Sequence, residues 1–380
     1  MKSNRLKVLT ILGTRPEIIR LSRTMAALDQ YTDHQIAHTG QNYDYELNQI
    51  FFDDLEIRKP DHFMGVDTSS LGNVLGGTLI ESEKILRQEK PDAVVILGDT
   101  NSALAGIMAR RLKIPLYHME AGNRCFDLNV PEETNRRIID HVSDFNLVYT
   151  EHARRHLLSE GISHRRIYVT GSPMKEVLDY YGPKIDASTA PADLGVESGK
   201  YILVSMHREE NVDYEKPLTD LVNALTMLAD KFSMPVIVST HPRTQKRLDQ
   251  FGLKVDENKV RFMKPFGFND YNKLQKDSFC VVSDSGTISE ESSMLCFAAV
   301  TIRNALERPE AMDTGSITMT GTNPDRILDC VTAVTDQFAN GTIAPIPVDY
   351  QVPNTSQRVL QLVLGTAKLA HRWQGIDVPS

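Results

Sequence analysis

Phe279-Cys280-Val281-Val282-Ser283-Asp284-Ser285-Gly286-Thr287-Ile288-Ser289-Glu290-Glu291 passes from an apolar run through a Ser/Gly turn into a helical pattern. The run is apolar on both faces, as strands of a parallel sheet are. The same order recurs. Leu6–Leu12 ends in Gly13-Thr14-Arg15-Pro16, Ala93–Leu97 in Gly98-Asp99-Thr100, and Pro115–Met119 in Glu120-Ala121-Gly122. Ile202–Met206 ends in His207-Arg208-Glu209, and Val236–Thr240 in His241-Pro242. Amphipathic stretches separate these runs, which makes them βαβ units. The series occurs twice, before about residue 172 and after about residue 200. Between them Tyr180–Lys200, rich in Pro, Gly, Ala and Asp, reads as a linker. The sequence therefore predicts an α/β protein of two Rossmann-like domains facing across a cleft. The expected bounds are 1–172 and 173–359. A tail at about 360–380, continuing the helical period of Val359, Leu362, Val363 and Leu369, is expected to pack back on the first.

Length and composition agree with two domains. The chain has 380 residues, 41% hydrophobic and 24% charged, which is ordinary globular usage. The net charge is −8, from 42 basic and 50 acidic residues, so a global basic footprint for nucleic acid is absent. Any anionic ligand must be caught by a local arginine cluster. No repeat of 20–50 residues is evident. The four cysteines, Cys125, Cys280, Cys296 and Cys330, form no C-x-x-C pair. Cys280 and Cys296 read as buried thiols. The short basic start is too brief for a secretory leader, and no apolar run has the length of a membrane span. The expected setting is cytoplasmic, where the glycosylation-type triplets at Asn340 and Asn354 carry no meaning.

In an open α/β sheet ligands bind beyond the carboxyl ends of the strands, where these polar turns lie. Thr14 and Glu17 have capping-box spacing with Pro16 in the first turn. A plain helix start does not explain Arg15, a cation at the positive end of a helix dipole, unless an anion joins it. Arg20, one turn on, supports that reading. Asp99 is equally well a helix cap. Glu120 has no capping role by spacing. Glu132 and Glu133 open a helix beside Asn135, Arg136 and Arg137, and Glu132 with Arg136 also fits a solvated i,i+4 pair. Together these residues place several carboxylates around one site, an arrangement suited to acid/base chemistry. His207 could be a structural hydrogen-bonded residue, but Arg208 and two acids follow it. Asp99, His118 and Glu120 lack a ligand pattern, and no metal site is expected. At the Ser285-Gly286-Thr287 turn, main-chain N–H groups and two hydroxyls could cradle a diphosphate. Thr287 and Glu290 also fit a capping box. Glu291 could accept from ribose hydroxyls, and Arg308 could close on the phosphates. Neither a Walker A motif nor G-x-G-x-x-G is present.

Gly13-Thr14-Arg15-Pro16-Glu17, Gly98-Asp99-Thr100, Glu120-Ala121-Gly122, Pro131-Glu132-Glu133-Thr134-Asn135-Arg136, His207-Arg208-Glu209-Glu210-Asn211, Asp284-Ser285-Gly286 and Glu307-Arg308-Pro309-Glu310 stand in an order that resembles the non-hydrolysing UDP-N-acetylglucosamine 2-epimerases. The resemblance covers nearly the whole chain. It implies the GT-B fold, a UDP-sugar in the cleft and a homodimer. In place of that family's Lys after the first motif stands Arg20. In place of Gly-Leu-Arg-Thr-Gly-Asp stands Gly122-Asn123-Arg124-Cys125-Phe126-Asp127. This form resembles the branch that makes UDP-N-acetyl-L-fucosamine from UDP-2-acetamido-2,6-dideoxy-L-talose for capsule and O-antigen synthesis.

The resemblance also implies roles. Asp99, Glu120 and Glu132 form the acid/base set; His207 and Arg15 act on the diphosphate, and Ser285, Gly286, Thr287 and Arg308 hold phosphates. Glu291 takes the ribose, Tyr271 stacks on uracil, and Arg20 and Arg136 complete the substrate contacts. No NAD, metal or other cofactor is called for. Near the hexose, Phe126 either packs on a sugar methyl or is core, and Arg124 either holds the sugar or pairs with Asp127. Plain UDP-N-acetylglucosamine 2-epimerisation, a GT-B glycosyltransferase and a non-catalytic UDP-sugar-binding regulator are the alternatives.

Overall fold

The computed structural model describes residues 5–40 and 51–376. It divides into two compact units, Met1–Tyr180 with Asp349–Ser380, and Tyr181–Val348. In the first, β1 (Lys7–Leu12), β2 (Asp33–His38), β3 (His62–Phe63), β4 (Ala93–Leu97), β5 (Leu116–Met119), β6 (Phe145–Val148) and β7 (Ile167–Val169) form a parallel sheet. Its order is β3-β2-β1-β4-β5-β6-β7. In the second, β8 (Ile202–Met206), β9 (Val236–Thr240), β10 (Val260–Met263), β11 (Cys280–Ser283), β12 (Ala299–Thr301) and β13 (Thr318–Met319) are likewise parallel. Their order is β10-β9-β8-β11-β12-β13.

Each order reverses once, between β1 and β4 and between β8 and β11. Neighbouring connections there leave for opposite faces and open a crevice at the strand ends. Burial explains the strands. All of Ala93–Leu97 is buried, as befits a central strand covered on both faces. The helix Arg15–Tyr31 buries Ile18, Leu21, Met25 and Leu28, a stripe at helical spacing.

The boundary between the units falls at Tyr180/Tyr181, inside the helix Met174–Ala187, and not at 172/173. Its buried Val177, Leu178, Tyr181 and Ile185 recur at helical spacing and outweigh the interior Pro183, so the expected linker starts as helix. The chain re-enters the first unit at Asp349, earlier than residue 360. There Tyr117 and Thr366 hydroxyls meet at 2.6 Å, and Trp373 lies edge-on to Phe145 with centroids 6.3 Å apart. Cys280 is buried, but Cys296 is exposed. It caps the helix Ile288–Leu295 in a left-handed conformation (φ 56°), which turns it out of the core. Among the described residues no helix is long and apolar enough to cross a membrane.

Candidate functional site

In the first unit the turn after β1 leads into the helix Arg15–Tyr31. An added Cβ on Gly13 would lie 2.1 Å from Thr39 Oγ1, so only glycine lets the turn pass there. Arg15 opens the helix with its guanidinium 5.5 Å from the centre of the Phe51 ring. Glu17 does more than cap. Its Oε2 accepts from Gly13 N at 2.5 Å and Thr14 N at 3.3 Å. It also accepts from Ser102 Oγ at 2.8 and 2.9 Å and from the Thr100 hydroxyl. One buried carboxylate thus ties the turn bearing Arg15 to the turn bearing Asp99. Burial raises its pKa, against the lowering effect of those bonds.

Asp99 and Glu120 stand at the ends of the adjacent strands β4 and β5. An added Cβ on Gly98 would come within 3.5 Å of Glu120 Oε2, so the two turns adjoin. Arg136 Nη2 lies 2.7 Å from Asp99 Oδ2, and Asn135 Nδ2 donates to Asp99 O at 2.9 Å. Arg20 forms an ion pair with Glu120, both side chains nearly buried. Glu120 has φ 65°, a left-handed conformation that a non-glycine residue adopts at a cost. The helix Pro131–Val142 thus delivers Arg136 to Asp99 and to Glu133 (3.1 Å), not to Glu132 as an i,i+4 pair. Glu132 is half-buried, and its side chain forms no hydrogen bond or ion pair among the described residues. The arrangement is two carboxylates each held by a guanidinium and a third carboxylate with none.

The segment after Glu120 is anchored from below. Gly122 has φ 81°, and an added Cβ would lie 2.5 Å from Ala153 O. Asp140, fully buried, accepts from Gly122 N at 3.2 Å and from Arg124 Nη1 at 2.7 Å. His118 Nδ1 lies 3.0 Å from the same carboxylate. Arg124 also donates to both oxygens of Glu160 at 2.8 and 2.6 Å. Its guanidinium is thus partnered by Asp140 and Glu160 and does not pair with Asp127. Asn123 Nδ2 donates to Glu120 Oε1 at 3.2 Å. Phe126 is not core: it is 68% exposed, with φ 55° and its ring edge-on to His156 at 5.3 Å.

The second unit centres on Asp284, fully buried at the end of β11. It accepts from His207 N at 2.9 Å, Arg208 N at 3.0 Å and Asn211 Nδ2 at 3.1 Å. His207 Nδ1 lies 3.0 Å from its Oδ1. Burial opposes ionisation of Asp284, but His207 and these N–H groups outweigh it and hold the carboxyl well below its usual range. So Asp284 fixes the His207-Arg208 turn against the Ser285 turn, leaving the His207 ring 39% exposed. Ser285 Oγ and Thr287 Oγ1 meet at 2.9 Å, and Ser285 Oγ accepts from Thr287 N at 3.3 Å. Thr287 makes no side-chain cap bond, so the expected Thr287/Glu290 capping box is absent. Arg308, buried, reaches Glu290 at 3.4 Å. Arg303 binds Glu307 through two bonds of 2.6 and 2.7 Å. Glu291 accepts from Gln275 at 2.7 Å. Burial and the neighbouring Glu291 push the Tyr271 hydroxyl up from its usual range.

The first-unit candidates Arg15, Arg20, Asp99, Glu120, Glu132 and Arg136 therefore gather near the ends of β1, β4 and β5. The second-unit candidates His207, Ser285, Gly286, Thr287 and Arg308 gather near the ends of β8 and β11, with Glu291 on the helix beyond and Tyr271 beside it. Glu17, Asp284 and Arg208 were not selected from sequence. The available signal is Asp284 directly after the buried strand Cys280–Ser283. Among the described residues no group of three or more His, Cys, Asp or Glu side chains is placed to hold a metal ion.

Two doubly wound parallel sheets with polar turns at their switch points place the protein in the GT-B class. Residues 26–364 match the family described as UDP-N-acetylglucosamine 2-epimerase, and the chain belongs to that family. It is a non-hydrolysing UDP-sugar 2-epimerase, which sets aside the glycosyltransferase and regulator alternatives. It is 36% identical over 343 residues to the UDP-N-acetylglucosamine 2-epimerase of Methanocaldococcus jannaschii, covering 88% of this chain and 94% of that one. It is 34% identical over 329 residues to the UDP-2,3-diacetamido-2,3-dideoxy-D-glucuronate 2-epimerase of Pseudomonas aeruginosa, covering 85% and 91%. Among solved structures, UDP-N-acetylglucosamine 2-epimerase from Rickettsia bellii superposes with TM-score 0.90 at 45% identity, covering 97% of this chain and 99% of that one. The M. jannaschii enzyme in complex with UDP-GlcNAc and UDP gives 0.89 at 32%, covering 95% and 100%.

Proposed function

We propose that this epimerase converts UDP-2-acetamido-2,6-dideoxy-L-talose into UDP-N-acetyl-L-fucosamine, a precursor step for capsule or O-antigen polysaccharide, as a cytoplasmic homodimer. The observation that carries the choice of sugar is Phe126. It is a large apolar ring left 68% exposed on the segment that follows Glu120. A 6-deoxy sugar offers a methyl group where UDP-N-acetylglucosamine has a hydroxymethyl, and Phe126 packs on it.

A base takes the C2 proton while the C1–O bond breaks and its electron pair leaves with the diphosphate. The resulting 2-acetamidoglycal is protonated at C2 on the opposite face as UDP re-adds. Asp99, Glu120 and Glu132 transfer the protons. Arg20 and Arg136 reach the substrate as partners of Glu120 and Asp99. His207 and Arg15 meet the departing charge, a form of electrostatic catalysis. Ser285, Gly286, Thr287 and Arg308 hold the phosphates, Glu291 the ribose and Tyr271 the uracil. The reaction is redox-neutral and uses no nicotinamide or metal.

Turnover in deuterated water is expected to place deuterium at C2, and retention of the original proton would exclude elimination. The sugar is decided by kcat/KM for the L-sugar against UDP-N-acetylglucosamine. Phe126→Ala is expected to lower kcat/KM for the 6-deoxy sugar roughly 10- to 200-fold, the range for one methyl-sized contact, and to spare UDP-N-acetylglucosamine. A wild-type preference for UDP-N-acetylglucosamine supports the second reading. That reading is favoured by the names of the Rickettsia and Methanocaldococcus relatives, and its product would be UDP-N-acetylmannosamine.

A further inference from the structure

Gln275 lies on the helix Phe268–Asp277 of the second unit and is fully buried. Its Nε2 donates to Glu291 Oε2 at 2.7 Å. Glu291, on the helix Ile288–Leu295, is itself nearly buried. Only the N–H side of an amide can face a carboxylate, so this bond also fixes which way round the amide stands. The Gln275 Oε1 is buried and has no hydrogen-bond partner among the described residues. Burying an unpaired amide oxygen costs free energy, and a leucine or methionine would fill the same space without that cost. Packing therefore does not call for glutamine at this position. What the amide adds is one donor aimed at Glu291. Tyr271, one turn earlier on the same helix, also neighbours Glu291.

A carboxylate has about four lone-pair sites, so the bond from Gln275 leaves Glu291 able to accept from a ligand as well. The bond does hold the plane of the carboxylate. A carboxylate held in place cannot turn to another donor when a ligand hydroxyl is missing, and an analogue without that hydroxyl leaves it buried and short of a partner. A carboxylate free to turn adapts to the analogue and discriminates less. We propose that Gln275 is a positioning residue that makes Glu291 select a ribonucleotide over a deoxyribonucleotide. This rests on the reading that Glu291 takes the ribose.

The test measures the binding of UDP, 2′-deoxy-UDP and 3′-deoxy-UDP by calorimetry to full-length wild type, Gln275→Met and Glu291→Gln. Discrimination is the affinity for UDP over that for the deoxy analogue that wild type binds more weakly. In wild type it is expected to be about 10- to 100-fold, the range for a hydrogen bond to a charged group. Gln275→Met keeps the side-chain volume and removes the donor. It is expected to cut the discrimination roughly 2- to 10-fold by weakening UDP, with that deoxy analogue bound as in wild type. Gln275→Asn draws the donor back by one methylene and should act in the same direction, and it stands in for the Met variant should that one not fold. Discrimination lost in Glu291→Gln but kept in Gln275→Met would overturn the role of Gln275 and leave Glu291 at the ribose. Discrimination kept in both variants, or absent from wild type, would overturn the ribose reading and the proposal with it. An equal loss of all three ligands in Gln275→Met would show a distorted nucleotide site and also overturn the proposal.

Discussion

At the scale of single residues, close approach of main chain to side chain decides where the chemistry can sit. The Cβ of an alanine at position 13 would stand 2.1 Å from Thr39 Oγ1, so one of the two turns must move. The turn that moves carries Arg15, and its neighbour β2 is paired along its whole length with β1. Gly13→Ala is expected to cost roughly 1–3 kcal/mol, the usual penalty for overpacking a dense interior. It should also lower kcat more than it changes the affinity for uridine. Denaturant titration and steady-state kinetics check both. A variant with native stability and turnover would mean that the Gly13 turn has slack. Glu120 shows a similar constraint from the other side. It keeps a side chain where glycine would be less strained, and that carboxylate is matched to Arg20.

At the scale of elements, Glu17 joins what sequence separates. Read locally, it is the acidic member of a capping box, and its bond from Thr14 N fulfils that role. Its bonds from Thr100 and Ser102 come from 83 and 85 residues away, and no spacing rule reaches that far. Glu17→Ala would strand two main-chain N–H groups and two hydroxyls, and is expected to cost at least about 3 kcal/mol. Glu17→Gln keeps an acceptor for the N–H pair and a donor for the hydroxyls, and should fold. Because burial raises the pKa of Glu17, the folded protein takes up a proton more readily than the unfolded chain. Its contribution to stability is greatest below the ordinary glutamate value of 4.5 and is lost as pH rises through the raised value. Urea midpoints should therefore show wild type losing ground to Glu17→Gln as pH rises from that point, and parallel curves would refute this. The same contrast explains what was legible. Strands such as Ala93–Leu97 are apolar throughout and announce themselves, and the polar residues that follow them mark the site. β2, Asp-His-Gln-Ile-Ala-His, has no apolar run and was missed. The cluster of His118, Arg124, Asp140 and Glu160 was missed because its members come from separate segments and meet only in the folded domain.

At the scale of the whole molecule, the two domains carry buried groups that respond to acid in different ranges. In the first, His38 is 3% exposed, and burial pushes its pKa down to about 4 from 6.5. Its ring stacks on Phe63 with centroids 5.6 Å apart, and its Nδ1 accepts from Gly40 N at 3.0 Å, a contact only an unprotonated nitrogen can make. The depressed value means that the unfolded chain binds a proton the native domain refuses. The stability His38 contributes is present above 6.5 and is lost as pH falls from there toward 4. The slope approaches about 1.4 kcal/mol per pH unit within that window. In the second domain Asp284 is held ionised, so its contribution is present above the ordinary aspartate value of 3.8 and fails only as pH falls below it. Glu17 opposes His38 within the first domain, since its raised pKa returns some stability on acidification. His38 can therefore be isolated only by comparison with a variant. His38→Gln, which keeps a polar side chain that does not titrate, should flatten the loss of protection in the first sheet between pH 6.5 and about 4. Hydrogen exchange followed by mass spectrometry resolves the two sheets in one experiment. On going from pH 7 to pH 5, after correction for intrinsic exchange, amides of β1, β4 and β5 should lose more protection in wild type than in His38→Gln. Amides of β8 and β11 should behave alike in both proteins. Equal losses in the first sheet of wild type and variant would show that His38 does not set the acid limb of that domain.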